Sequence, residues 1–120
     1  MAEILTDESI EDILDWVATW EYKPAEITIT DGNAERGQTL YQPCAACHGA
    51  DAEGNEAMNA PALAGQNDWY IVNQLELFKN GHRGYDSRDT YGSQMALMAR
   101  AIPDEQAMKE IASYINTLGR

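Results

Sequence analysis

The five residues Cys44-Ala-Ala-Cys47-His48 constrain this chain more than any other part of its sequence. The chain has 120 residues and two cysteines, both in this motif. A small protein that depended on disulfides would usually carry more cysteines. The motif therefore needs a chemistry that uses two thiols three residues apart together with the adjacent imidazole.

Three simpler chemistries compete for these side chains. A zinc site would need His82 as a fourth ligand and would place His48 beside a bound cysteine, without the usual pair spacing. A thioredoxin-like dithiol would need a βαβ pattern, which the sequence lacks. A plain disulfide would leave His48 without a role.

The motif is typical of covalent haem c attachment. The Cys44 and Cys47 thiols add across the haem vinyl groups, and His48 is placed as the proximal iron ligand. We therefore expect one covalent haem c per chain, with the apolar ring serving as part of the core. This attachment also implies export before maturation, so we expect a periplasmic protein.

Length and charge narrow the remaining possibilities. One domain is expected at 13.3 kDa, and the formal charge of -12 makes nucleic acid a poor partner. No apolar run reaches the roughly 18 residues of a membrane span, and the first residues carry acids where an export signal carries bases. Residues 1–35 are strongly acidic, which places a boundary near Asp31. This patch is either a solvated face or a surface that steers a basic redox partner.

Helical periodicity and punctuation predict the domain plan. We expect an N-terminal helix and extended linker over 1–30, followed by a haem domain over 31–120. The expected elements are a helix from Asp7 to Trp20, a linker over Glu21–Thr30, a helix from Asp31 toward Pro43, a loop over 50–67, a helix capped by Asp68 that ends near Gly81, a loop over Gly81–Ser93, and a last helix from Pro103 to Leu118.

The first helix repeats the pattern of the last one. Met1-Ala-Glu-Ile-Leu-Thr-Asp-Glu matches Met98-Ala-Arg-Ala-Ile-Pro-Asp-Glu, and after a one-residue shift Ile13, Trp16, Val17, Thr19 and Trp20 fall on Ile111, Tyr114, Ile115, Thr117 and Leu118. This echo predicts that residues 1–30 are the tail of a preceding domain. Without such a domain, we expect Trp16 and Trp20 to be covered by homodimerisation or by folding back.

From Asp31 to Leu118 the sequence resembles a class I cytochrome c, closest to the haem domains of bacterial diheme cytochromes and of cytochrome domains fused to oxidase subunits. The resemblance rests on Arg36-Gly37 before Tyr41, the Cys-x-x-Cys-His motif, Ala60-Pro61-Ala62-Leu63-Ala64-Gly65-Gln66, Tyr70, Gln74-Leu75, Phe78-Lys79-x-Gly81, Met95-x-x-Met98-Ala99 and Tyr114-Ile115. It implies an all-α fold wrapped around the haem, with the additional N-terminal helix outside it.

The resemblance also implies roles for individual residues. Gly37 would let its helix approach Tyr114 on the last helix, with Tyr41 and Ile111 alongside. The Pro61 carbonyl would accept the second N–H of the proximal histidine. Leu63 would pack on the haem, and the groups near the propionates would be polar or amphipathic: Gln66, Trp69, Tyr70 and Arg83.

The sixth iron ligand has four candidates, Met58, His82, Met95 and Met98. In the resembling domains it is the first methionine of Met-x-x-Met, seven residues before the apolar residue that opens the last helix. That relation favours Met95, with Met98 as the second choice. The methionine that is not used, and Met108, are expected in the core, and His82 is expected on the surface.

The expected function is electron transfer between periplasmic or membrane-bound redox partners, with no catalytic residues. His/Met ligation fills both axial positions, so no position is left for substrate. An enzyme or gas sensor with a labile methionine is the competing class. A docking domain of a larger oxidase or dehydrogenase is the third.

Overall fold

Residues 4–120 are described by a computed structural model that contains five α-helices. Within this range no β-strand forms, and Asn55 and Ala60 make an isolated antiparallel bridge. The helices are α1 (Asp7–Ala18), α2 (Ala34–His48), α3 (Asp68–Lys79), α4 (Thr90–Arg100) and α5 (Glu105–Leu118). The predicted all-α class is confirmed.

Helix α5 organises the core by packing on both α2 and α3, and α3 packs in turn on α4. At the α2–α5 crossing, a Cβ on Gly37 would lie 1.9 Å from the Glu110 carbonyl oxygen, so only glycine permits this approach. The Tyr41 and Tyr114 ring centroids are 5.4 Å apart, and Ile111 is buried. The predicted contacts between these two helices are confirmed.

Helix α2 was predicted to end near Pro43, before the cysteine motif. In the structure it continues through Pro43 to His48. Proline removes one helical N–H and crowds the preceding turn, which usually ends a helix. Here Cys44 and Ala45 pack against the core on the far side of the proline. This packing offsets the local cost and keeps the whole motif helical.

The other helix boundaries differ from prediction in smaller ways. Helix α1 ends at Ala18 rather than Trp20, and α3 ends at Lys79. Asp104, not Pro103, begins α5 as its N-cap, with Oδ1 accepting from the Ala107 N–H at 2.8 Å. Helix α4 was not predicted: it begins within the predicted loop, with Asp89 as its N-cap, and runs from Thr90 to Arg100.

The segment 21–31 is extended, as predicted, but it is docked on the haem domain. Tyr22 donates to the Gly119 carbonyl, and Arg120 Nη2 donates to the Ala25 carbonyl at 3.0 Å. Asp31 Oδ2 lies 2.9 Å from Lys109 Nζ. These contacts fix the path by which α1 leaves the domain.

Asp68 is the main anchor of this segment rather than the predicted cap of α3. It is 1% exposed. Its Oδ2 accepts from the Thr28 N–H at 2.8 Å and from the Ile29 N–H at 2.9 Å, while its Oδ1 accepts from the Thr28 hydroxyl and the Trp69 N–H. We call this set of contacts the Asp68 clasp.

Helix α1 contains no buried residue. Trp16 is 62% exposed and Trp20 is 59% exposed, and their rings meet edge to face at 5.0 Å. Of the two predicted alternatives, folding back on the same domain is therefore excluded, and coverage by homodimerisation stays a prediction.

Candidate functional site

The motif residues share one face at the C-terminal end of α2. Cys47 and His48 follow Cys44 by three and four residues. This spacing places helical side chains on a common surface. Both cysteines are of intermediate exposure, whereas His48 is buried. Burial raises the pKa of the Cys44 thiol. The two cysteines are therefore less enclosed than the imidazole beside them.

The His48 ring is held by the Pro61 carbonyl, as the sequence predicts. The Nδ1 atom of His48 lies 2.8 Å from the Pro61 oxygen. A carbonyl oxygen only accepts hydrogen bonds, so Nδ1 is the donor, and in the neutral ring the lone pair is then on Nε2. This tautomer is the one needed for metal ligation through Nε2.

The loop from Gly49 to Ala64 holds the Pro61 carbonyl in place. Gly54 N–H donates to the His48 carbonyl at 2.7 Å, which ties the loop to the end of α2. The Ala52 carbonyl accepts from the N–H groups of Leu63 and Ala64 at 2.9 and 3.1 Å. Ala52 is completely buried with a left-handed φ of 56°. Its role was not predicted, because alanine gives no sequence signal for this conformation.

The Tyr41 hydroxyl also supports the end of α2. It donates to the Gly49 carbonyl at 2.7 Å, immediately after His48. This hydrogen bond was not predicted, because the resemblance implied only packing for Tyr41. Burial, with smaller contributions from the nearby Cys44 and Glu53, raises the pKa of Tyr41 to about 12. The hydroxyl is therefore a neutral donor at physiological pH.

The methionine candidates differ in their surroundings. Met95 is half-buried and packs against both the main core and the small cluster of Phe78, Ala96 and Ala99. Met98 is 41% exposed on the same helix, although it was expected in the core if Met95 is the ligand. Met58 is equally exposed in the loop after the motif.

Met108 is 2% exposed, so its predicted core position is confirmed. His82 is exposed, as predicted.

The remaining predicted site residues differ in burial and in their contacts. Leu63 is half-buried against the main core, whereas Trp69 and Tyr70 are exposed and meet edge to face at 6.0 Å. Gln66 is exposed. The Arg83 guanidinium lies 4.6 Å from the Phe78 ring centroid and donates to Gln74, so its partners are side chains of α3.

Among residues 4–120, no three histidine, cysteine, aspartate or glutamate side chains converge as a metal cluster. Over the same residues, no helix combines the length and the apolar character that crossing a bilayer requires.

The family model for cytochrome c matches residues 34–119. The chain belongs to the cytochrome c family. It is 38% identical to cytochrome c-554(547) of Halothiobacillus neapolitanus over 91 residues, which cover 72% of this chain and 98% of that protein. It is 30% identical to cytochrome c4 of Azotobacter vinelandii over a 131-residue alignment, which covers 98% of this chain and 59% of that protein.

The fold is shared with solved cytochromes c4. Reduced cytochrome c4 from Pseudomonas stutzeri superimposes with a TM-score of 0.71 at 25% identity, covering 95% of this chain and 62% of that structure. The chain thus spans about three fifths of the length of the cytochromes c4 that it matches. The predicted class I cytochrome c fold is confirmed.

As a member of the cytochrome c family, the chain has one haem c as its cofactor, bound covalently through Cys44 and Cys47. The residues present fit this group. The two cysteines share one helical face, and the His48 tautomer leaves Nε2 free to bind iron. Cys44 packs against the main core, as do apolar side chains of intermediate burial: Leu40, Leu63, Ala64 and Met95.

Proposed function

We propose that this protein is a single-haem electron carrier in which His48 and Met95 are the axial ligands. The bound haem supplies one-electron ferric/ferrous chemistry. The observation that carries the proposal is the hydrogen bond from His48 Nδ1 to the Pro61 carbonyl, because it fixes both the ring and the tautomer. This part-buried hydrogen bond holds the imidazole in the orientation that iron ligation needs.

The case for Met95 over Met98 rests on the packing of α4. Ala96 and Ala99 are buried against Phe78, which fixes the rotation of the helix. Met95 lies beside this contact and also reaches the main core, whereas Met98 is more exposed. The resemblance to cytochrome c domains favours the same methionine. With both axial positions filled, the protein transfers electrons without binding substrate at iron.

We also propose a surface for electron exchange. Ala46, between the attachment cysteines, and Ala62, beside Pro61 in the following loop, are small, uncharged and exposed. The acids Asp51, Glu53 and Glu56 follow the motif and are exposed. A redox partner with basic residues around an uncharged contact would complement this surface.

The organisation of the chain supports two further proposals. Residues 31–120 form the haem domain, and residues 1–30 are a segment that belongs functionally to a preceding domain. Since haem c attachment is associated with exported proteins, we place the mature protein in the bacterial periplasm, either soluble or within a membrane-associated complex.

The test of the ligand proposal is the optical spectrum of the haem-loaded protein in both oxidation states. We expect the weak far-red sulfur-to-iron band in the ferric wild type. Met95→Ala should abolish the band, and Met98→Ala, the matched control on the same helix, should retain it. The ferrous wild type should bind carbon monoxide slowly or not at all.

Two results would reverse the proposal. Loss of the band only in Met98→Ala would move the ligand to the second methionine. A wild type that lacks the band and binds carbon monoxide rapidly would have a labile sixth position, which favours a gas- or peroxide-binding function.

A further inference from the structure

Helix α1 exposes an apolar face that needs a partner. Its twelve residues include no buried one. Isolated helices of this length are marginal in water, and the acids repel one another at positions three and four residues apart. The apolar side chains of the helix lie opposite these acids, and they are Ile10, Ile13, Leu14, Trp16 and Val17.

The structure strengthens the sequence echo between α1 and α5. Thr6 caps α1 by accepting from the Ser9 N–H at 3.1 Å, and Asp104 caps α5 in the same way. Both helices end with a threonine hydroxyl that donates to the carbonyl three residues earlier at 2.6 Å. In the register set by the two caps, Ile10, Asp12, Ile13, Trp16 and Val17 fall on Met108, Glu110, Ile111, Tyr114 and Ile115.

Two of these equivalent residues, Glu110 and Tyr114, contact α2 directly. Gly37 allows the close approach, with a hypothetical Cβ 2.9 Å from the Tyr114 Cβ. Tyr41 packs on Tyr114. Arg36 Nη1 lies 3.6 Å from the buried Glu110 carboxylate. Helix α1 therefore presents the surface that α5 presents to α2, but without an α2.

We infer that the apolar face of α1 is the docking surface for an α2-type helix of a second cytochrome c domain. This occupant has a glycine opposite Trp16, an aromatic residue four positions later as at Tyr41, and an arginine before the glycine that pairs with Asp12. The inference rests on the proposed division of the chain at residue 30. It adds the identity of the helix that α1 recognises.

A second copy of this chain fits the face less well. Its own α2 is already covered by α5, so the remaining option is to pair two α1 helices. Such a pair would bring together two acidic helices with no basic side chain in either one. Repulsion of this kind disfavours the dimer at low salt.

The docked segment holds α1 at a defined place relative to the haem domain. Between α1 and the haem domain lie the Asp68 clasp and the contacts of Tyr22 and Ala25 with Gly119 and Arg120. A domain bound to α1 would thus be held beside the haem domain instead of on a free tether.

The test is a tandem protein in which residues 31–98 precede the full chain. In this fusion α1 takes the position of α5 in the added segment, and Ile4 takes the position of Ile102. Hydrogen exchange of the haem-loaded proteins is followed by mass spectrometry, which resolves peptides from residues 7–18. We expect these amides to exchange at least tenfold more slowly in the tandem protein than in the single chain.

The matched control is Gly37→Leu in the added segment only, which should restore fast exchange in α1. Equal exchange in the tandem protein and the single chain would overturn the inference, as would protection that survives Gly37→Leu. Protection in the single chain that disappears on dilution would assign the face to a second copy instead. The optical spectrum of the single chain reports the proposed His48/Met95 ligation independently of these results.

Discussion

At the scale of single residues, the Tyr41 hydroxyl stabilises the end of the helix that carries His48. Its pKa is raised to about 12 by burial first and by nearby Cys44 and Glu53, whereas an unfolded tyrosine titrates near 10. The contribution of the neutral hydroxyl is therefore complete below about pH 10 and is lost as the pH rises toward 12. We expect Tyr41→Phe to lower the free energy of unfolding by about 0.5–1.5 kcal/mol at neutral pH.

Denaturant unfolding of the haem-loaded protein at several pH values measures this effect. The wild type should lose more stability than Tyr41→Phe between about pH 10 and about pH 12. Tyr85→Phe is the control, because Tyr85 is 74% exposed. If Tyr41→Phe and Tyr85→Phe lost equal stability over this pH range, the Tyr41 hydroxyl would not contribute through its contact with Gly49.

Individual residues differ in how well sequence predicts their contacts. The His48–Pro61 hydrogen bond follows from the family resemblance, since both residues belong to quoted motifs. Asp68 does not, because an aspartate before a helical pattern is equally typical of a cap. Its partners Thr28 and Ile29 lie 40 and 39 residues away in sequence, and only the tertiary fold brings them together.

At the scale of helices, Gly37 sets the distance between α2 and α5. A methyl group there would meet the Glu110 carbonyl oxygen at 1.9 Å, which is backbone that cannot rotate away. Although alanine is ordinarily the better helix former by about 1 kcal/mol, Gly37→Ala is expected to lower the free energy of unfolding by about 1–3 kcal/mol. Calorimetry of the haem-loaded variant measures the change.

The neighbouring position supplies the control for this prediction. Gln38 is exposed on the same helix, so Gln38→Ala should be neutral or slightly stabilising. A Gly37→Ala variant as stable as Gln38→Ala would mean that the two helices separate without cost.

Two helices show where sequence patterns are insufficient. Pro43 signals a break, yet the contacts of Cys44 and Ala45 with the core keep α2 continuous. Helix α4 starts with Thr-Tyr-Gly-Ser, a weak helix-forming sequence. Its packing uses Ala96 and Ala99, which do not stand out as apolar periodicity. In both helices tertiary packing outweighs local propensity.

At the scale of the whole molecule, the Asp68 clasp joins the N-terminal segment to the haem domain. Burial raises the pKa of Asp68, but the hydrogen bonds from Thr28, Ile29 and Trp69 outweigh it, and the net pKa is below the usual value. The clasp is thus complete above the unfolded pKa of about 3.9 and is lost as the pH falls through the lower folded pKa. We expect Asp68→Asn to cost about 1–3 kcal/mol at neutral pH.

Hydrogen exchange distinguishes this role from general destabilisation. Relative to the wild type, Asp68→Asn should accelerate exchange of the Thr28 and Ile29 amides more than exchange of the α5 amides. The loss of stability at acidic pH should also become shallower. Asp51→Asn, a change at an exposed acid, is the control. Uniformly faster exchange throughout the variant would contradict a specific clasp.

The charge of the molecule is distributed away from the attachment motif. Residues 37–50, 57–67 and 90–99 contain no aspartate, glutamate, lysine or arginine, although the chain carries a net charge of -12. These segments contribute the cysteine motif, the Pro61 loop and most of α4. Asp51, Glu53 and Glu56 follow the motif closely, whereas the other acidic groups act on the electron-exchange surface over distance, where salt screens them.

This distribution predicts opposite salt effects for small redox reagents of opposite charge. Raising the ionic strength from about 0.01 to about 0.15 M shortens the Debye length from about 30 to about 8 Å. Oxidation of the ferrous protein by anionic ferricyanide should accelerate, and oxidation by the cationic tris(phenanthroline)cobalt(III) complex should slow, each on the order of tenfold. Stopped-flow rates at constant pH measure both. Salt-independent rates for both reagents would show that the acidic charge does not reach the haem edge, and a basic partner would then gain no steering from it.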